Sequence, residues 1–232
     1  CIRDSFEQLT GGNENLKEET TQSLNFGTVL QVLQNLSFVL DYWQADQTNE
    51  VLQASMRDIF ATEQQFGSAY LNSFGIQVVR DPSTQVVQRV INPNVNAASV
   101  NLKGLDFGGN WSFAAFSNYR FRLAVNHSIL IERIVEAFPG LGKEDRAGFA
   151  GAPYWRNNVI LGLGNTKYDY SFLIRTIGEQ NASFESQDPA AYGKTRDHTE
   201  LDLRLQYNAP WNGNFSFIVK NIFDANRPEH TE

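Results

Sequence analysis

The links between segments constrain this chain more than the segments themselves. Eight stretches alternate apolar and polar residues, and the connections between them run short, long, short, long without exception. The short ones are 34–35, 116–118, 165–166 and 209–214; the long ones are roughly 45–99, 137–153 and 181–198. In an up-and-down antiparallel sheet, that order puts every tight turn at one end and every long loop at the other. Soluble sandwiches rarely sort their loops so cleanly, whereas membrane-spanning barrels do.

The alternation has period two, the signature of a strand with two unlike faces. Leu201, Leu203, Leu205 and Tyr207 oppose Asp202, Arg204, Gln206 and Asn208. Tyr168, Tyr170, Phe172 and Ile174 oppose Asp169, Ser171 and Arg175. Runs beginning at Leu24, Leu36, Leu105, Tyr119, Val159 and Phe215 behave alike. The apolar faces carry no charge; the others are rich in Arg, Asp, Asn, Ser and Gly. An arginine at the bilayer midplane costs about 2–4 kcal/mol on a barrel's lipid face, so a clean face is required there. A soluble core requires it too, and the polar face suits a wet lumen or plain solvent.

The aromatic residues separate the two cases. They crowd the short turns, in WSFAAFSNYRF (111–121), KYDYSF (167–172) and QYNAPWNGNFSF (206–217). Strand propensity enriches aromatics without favouring one end. A membrane interface does favour one level, because Trp and Tyr pair an apolar ring with a hydrogen-bonding tip. Trp111, Tyr119, Tyr168, Tyr207 and Trp211 are therefore expected as interface aromatics. The fold class expected is all-β: a transmembrane antiparallel up-and-down β-barrel, contributing about eight strands, with a short helix in one long outer loop.

That helix is predicted over about 49–65, where Val51, Leu52, Met56, Ile59 and Phe60 follow helical spacing and Asn49 or Thr48 serves as cap. Two short strands, 76–80 and 85–91, are predicted around DPST. No apolar run approaches the roughly 18 residues of a transmembrane helix, a filter blind to barrels. The start, CIRDSFEQL, has no signal-peptide pattern. Cys1, the single cysteine, makes no internal disulfide; it is a free thiol or pairs with a cysteine upstream. The net charge of −7, with no basic stripe, argues against a nucleic-acid partner.

No catalytic constellation is legible. His127, His198 and His230 are scattered without the spacing of a metal site, and the glycines of GLGNTK lack phosphate-loop spacing and precede a strand. No enzyme activity, metal or cofactor is expected. Asp41, Asp106, Asp169, Asp202, Arg120, Arg122, Arg156, Arg175 and Arg204 share the polar phase. Most are expected as cross-strand ion pairs of about 0.2–1 kcal/mol each. Asp106, Arg156, Arg175 and Asp202 lie toward the long-loop end and are the candidates for a substrate path.

Several stretches, in order, resemble TonB-dependent outer-membrane receptors. GNENLKEETTQSLNFGTVLQ (12–31) resembles a loop reading GN-x-x-L-x-x-E-T that leads into a strand. NLSFVLDYWQ (35–44), VNLKGLDFGGNWSF (100–113) and PYWRNNVILGLG (153–164) resemble later strands. ELDLRLQYNAPWNGNFSFIVKNIFDANRP (200–228) resembles the penultimate hairpin. The resemblance implies a 22-stranded barrel with a plugged lumen, of which 1–232 is a C-terminal portion, from the fourteenth to the twenty-first strand. Plug, TonB-engaging segment and final strand have no counterpart in the 232 residues. The implied activity is uptake of a scarce solute (siderophore-iron, cobalamin, carbohydrate or peptide) with energy from TonB. The implied partners are outer-membrane lipid, the plug and remaining strands of the same receptor, TonB through the plug rather than this segment, and a small-molecule or oligomeric nutrient. The implied location is the bacterial outer membrane, with short turns periplasmic. The competing readings are a small self-contained outer-membrane barrel, adhesive or structural, and a soluble carbohydrate-binding β-sandwich.

Overall fold

The computed structural model describes residues 6–181 and 193–226. Cys1, His230 and part of the loop at 181–198 lie outside the described residues. In chain order the strands are β1 (Glu7–Gly11), β2 (Thr20–Leu33), β3 (Leu36–Leu52), β4 (Gln77–Arg80), β5 (Val87–Pro93), β6 (Val95–Ala114) and β7 (Arg120–Glu136). There follow β8 (Glu144–Asp145), β9 (Trp155–Gly164), β10 (Tyr168–Ile177), β11 (Gln180–Asn181), β12 (Lys194–Thr195), β13 (His198–Asn208) and β14 (Asn214–Val219). All eight alternating stretches are strands, and they form one sheet in the order β14-β13-β10-β9-β7-β6-β3-β2, with β8 added to β7. The sheet does not close: β14 and β2 are its edges.

The strands run further than the alternation foretold. β3 continues to Leu52 and β6 begins at Val95, so the loop expected at 45–99 shrinks from both sides. The tight turns stand where expected. In the turn 165–166, the Asn165 carboxamide oxygen accepts the N–H groups of Lys167 (2.9 Å) and Tyr168 (2.8 Å), an Asx-type closure. Asn212 turns the last hairpin with φ 63°, a conformation Asn tolerates better than most residues.

The chain divides into two compact units. One comprises 1–23, 45–102 and 133–145. Its helix α1 (Met56–Phe66) starts later than the predicted 49–65, and its cap is Ser55, whose hydroxyl accepts the Asp58 N–H at 3.1 Å, not Asn49 or Thr48. The reason lies in competing partners. The Asn49 carbonyl takes the Asn96 amide at 2.8 Å and the Val51 N–H donates to the Glu19 carboxylate at 2.7 Å, which holds this stretch in β3 rather than in the helix. Gly67, at φ 82°, stops α1, and a second helix, α2 (Ser68–Asn72), follows at once. The predicted strand pair is present as β4 and β5, joined by β1, which runs parallel to β5. Ile59, Leu71, Ile76, Val90, Val95 and Phe138 are buried together here, each contributing about 1.5–3 kcal/mol. Phe74 meets the Phe138 ring edge-on at 5.4 Å. The long loop, with Phe138 from the next one, thus carries a core of its own.

The other unit comprises 24–44, 103–132 and 146–232. Its buried apolar residues, among those described, are Ala147, Ala152 and Ala209. Its large apolar side chains are instead half-buried or exposed, up to 75% for Phe26 and 61% for Phe217 on the edge strands. A soluble sandwich would cover such a face with a second layer.

Candidate functional site

The pairing registers of β7, β9, β10, β13 and β14 set the apolar face in rows. Phe121, Leu163, Tyr170, Leu205 and Phe217 stand side by side in one row. Leu123, Leu161, Phe172, Leu203 and Val219 form the next, and Val125, Val159, Ile174 and Leu201 the one after. The row beyond is polar on every strand: His127, Asn157, Thr176, Thr199. The alternation is thus interrupted at the same level on four neighbours, because the register holds them in step, with Ile129 and Trp155 standing beyond the break on β7 and β9.

At the opposite end the rows finish in rings. Tyr207 stacks on Tyr168 at 5.4 Å and on Phe215 at 6.4 Å. The Lys167 ammonium sits 5.3 Å from the Tyr168 ring centre and 5.7 Å from that of Tyr207. Trp111, Phe113 and Phe121 form a second run, with centroids 4.6 and 5.1 Å apart, and Phe116 packs on Tyr119 at 5.3 Å. Trp211 stands in its turn, 69% exposed. From Tyr207 to Thr199 is eight residues of β13, about 27 Å of strand, or about 20 Å once tilted as in a barrel, close to the apolar band of about 25 Å.

The other face carries ion pairs, together with a row in which Ala124, Ile160 and Leu173 lead across to Asp202. Arg175 reaches Asp202 with both terminal nitrogens, at 2.8 and 3.2 Å, and Glu200 at 2.7 Å. The Asp202 carboxylate also accepts the Asn221 N–H at 2.9 Å, and it is buried. His198 Nε2 lies 3.2 Å from Glu200. Two of the four substrate-path candidates, Arg175 and Asp202, are therefore brought together and bound to each other. Arg156 and Asp106 do not touch that pair: the Arg156 guanidinium lies 3.5 Å from the Gly151 carbonyl, and Asp106 sits on β6.

Nearer the short turns, Arg122 of β7 pairs with Asp169 of β10, across the intervening β9. Gly162 and Gly164 of β9 make this possible. A methyl group on Gly162 would stand 3.0 Å from Arg122 Nε, and one on Gly164 2.5 Å from an Asp169 oxygen. Gly27 yields room to Asp41 in the same way.

Sequence reading missed three participants. Glu200 shares the parity of Asp202 and was legible in that respect; Asn221 acts through its backbone and was not. Trp155, paired with Ile129 beyond the polar row and 5.9 Å from the His127 ring, places an aromatic at the long-loop end. Among the described residues no three His, Cys, Asp or Glu side chains gather as metal ligands. No helix among them is long and apolar enough to cross a membrane, which does not bear on crossing by strands.

The family model described as TonB dependent receptor-like, beta-barrel, matches residues 3–222. Among solved structures, the chain resembles a point variant of the ferric enterobactin receptor PfeA from Pseudomonas aeruginosa, at TM-score 0.57 and 15% identity, over 91% of this chain and 27% of that one. It resembles the siderophore receptor PirA from Acinetobacter baumannii at 0.55 and 13%, over 92% and 29%. It resembles the outer membrane transporter YddB from Escherichia coli at 0.56 and 9%, over 95% and 31%. No curated protein matches the sequence. The chain spans less than a third of these structures, and at such identities the likeness is one of fold.

Proposed function

Because the chain belongs to the TonB-dependent receptor β-barrel family and forms part of an outer-membrane barrel wall, we propose that its receptor imports a scarce solute with energy from TonB. The plug of the same receptor transmits that energy, and TonB acts on the plug rather than on this segment. The observation that carries the reading is the lockstep of rows: an uncharged apolar band, bounded at one end by stacked rings and at the other by His127, Asn157, Thr176 and Thr199. Such a face matches hydrocarbon between two interfaces.

On this reading the apolar rows face lipid and the ion pairs face the lumen. Trp111, Tyr119, Tyr168, Tyr207 and Trp211 lie at the periplasmic interface, and Trp155 and His127 at the outer one. Arg175 and Asp202 stiffen the wall, since each spends its charge on the other. Arg156 and Asp106, outside that network, are the residues of the four left to meet solute. The buried core of the unit of 1–23, 45–102 and 133–145 makes it a shaped module, suited to holding a solute.

The test is a binding measurement on the full-length receptor in detergent. The periplasmic domain of TonB is expected to bind it and to lose binding when the plug is deleted. Undiminished binding without the plug would overturn this division of roles.

A further inference from the structure

The unit of 1–23, 45–102 and 133–145 holds a cleft of about 860 Å³, within the range of small-ligand sites. Its lining is dominated by asparagine, and these asparagines do two different jobs. Asn96 and Asn13 hold the frame. The Asn96 amide donates to the Lys17 and Asn49 carbonyls at 2.9 and 2.8 Å, and its oxygen accepts the Lys17 N–H at 2.7 Å. Asn13 donates to the Asn94 carbonyl at 3.1 Å and accepts the Asn15 N–H at 2.9 Å. The side chains of Asn15, Asn49 and Asn72 are exposed and form no hydrogen bond among the described residues. Three free carboxamides thus stand around one cleft, Asn15 and Asn49 on backbone that Asn13 and Asn96 secure and Asn72 at the end of α2.

Each carboxamide offers two donors and one acceptor at fixed angles. That pattern pairs with neighbouring hydroxyl groups, which also donate and accept. The charged side chains of the lining, Glu14 and Lys17, cancel. An anionic iron chelate would call for a surplus of cations, as anion sites do. The half-buried ring of Phe74 also lines the cleft and gives the apolar face of a sugar ring a surface to lie on.

We propose that this cleft binds a neutral polyhydroxylated ligand, a short oligosaccharide, as the solute or its first docking point. The proposal rests on the uptake reading and names the chemistry of its outer module. The test titrates the full-length receptor in detergent calorimetrically with maltotriose, cellotriose, mannotriose, xylotriose and chitotriose. At least one is expected to bind saturably. Asn15→Ala and Asn72→Ala, both at exposed positions, are each expected to weaken it about tenfold, the loss typical when a polar ligand group goes unpaired. A ferric tris-catecholate complex is expected not to compete. The proposal is overturned if none of the five binds at millimolar concentration, if both variants bind as the parent does, or if the ferric complex competes. Assembly is read separately, as a heat-modifiable band in outer-membrane fractions. A receptor that assembles but binds no saccharide loses only the ligand class; one that fails to reach the membrane overturns the uptake reading as well.

Discussion

Thr176 and Thr199 face each other across β10 and β13, with hydroxyl oxygens 3.1 Å apart, in the first polar row above the apolar face. Two positions further along β13 stands Leu201, and two beyond that Leu203, both on that same face. Their spacing turns a qualitative statement about faces into one about depth.

Arginine placed at 203 should therefore cost far more than arginine at 199. For Leu203→Arg the expected loss is about 2–4 kcal/mol, and for Thr199→Arg about 0–1 kcal/mol. Denaturant titration of the receptor refolded into lipid vesicles reads both. Arg204→Leu, on the opposite face, is expected to leave the heat-modifiable band intact while Leu203→Arg depletes it. Equal depletion would show that the faces are assigned the wrong way round.

The Arg175–Asp202 contact should behave as wall support. Alanine at either position is expected to lower stability by about 1 kcal/mol, modest because the arginine is partly exposed, and the double-mutant cycle should show coupling of about 0.5–1 kcal/mol. Solute affinity should not follow these changes. Loss of affinity without loss of stability would return the pair to the substrate path.

Gly164→Ala is expected to destabilise the wall by about 1–3 kcal/mol, because its methyl meets the Asp169 carboxylate 2.5 Å away. Asp169→Ala in the same chain should recover most of that loss in a thermal melt. If the second change adds to the first, the overlap is not the cause.

The DPST turn should depend on pH in a definite direction. The Ser83 hydroxyl, the Thr84 N–H and the Ser83 N–H hold the Asp81 carboxyl down at about 2. A depressed carboxyl stabilises the fold above its unfolded value of about 3.9 and loses that contribution as pH falls toward 2. Exchange of the Ser83 and Thr84 amide protons should therefore accelerate, relative to the unfolded chain, between about pH 4 and pH 2. Asp81→Ala should remove the dependence; a profile unchanged by that substitution would exclude Asp81 as its source.

Period two made the wall strands legible, since each half-buried strand writes its own faces into its sequence. What each strand does not record is its alignment with the next. The row His127–Asn157–Thr176–Thr199 exists only through register, so no single stretch announces it. The interior of the long loop was readable in pieces. Its hairpin was found, but α1 was placed too early, because Asn96 and Glu19, distant in sequence, supply the partners that keep 49–51 in β3. β1 joins β5 in parallel, Glu7 opposite Arg89, a pairing that no turn signal encodes. Of the four substrate-path candidates, parity put Arg175 and Asp202 on one face but could not tell that they satisfy one another.

If the polar face lines the lumen, as proposed, the glycines of β9 shape its surface. Side chains on the inner surface of a tube ordinarily stand up and narrow it. At Gly162 and Gly164 nothing stands up, and the Arg122 and Asp169 chains from either side lie down in the space. The charges there lie flat against the sheet, as a flush inlay rather than a row of posts.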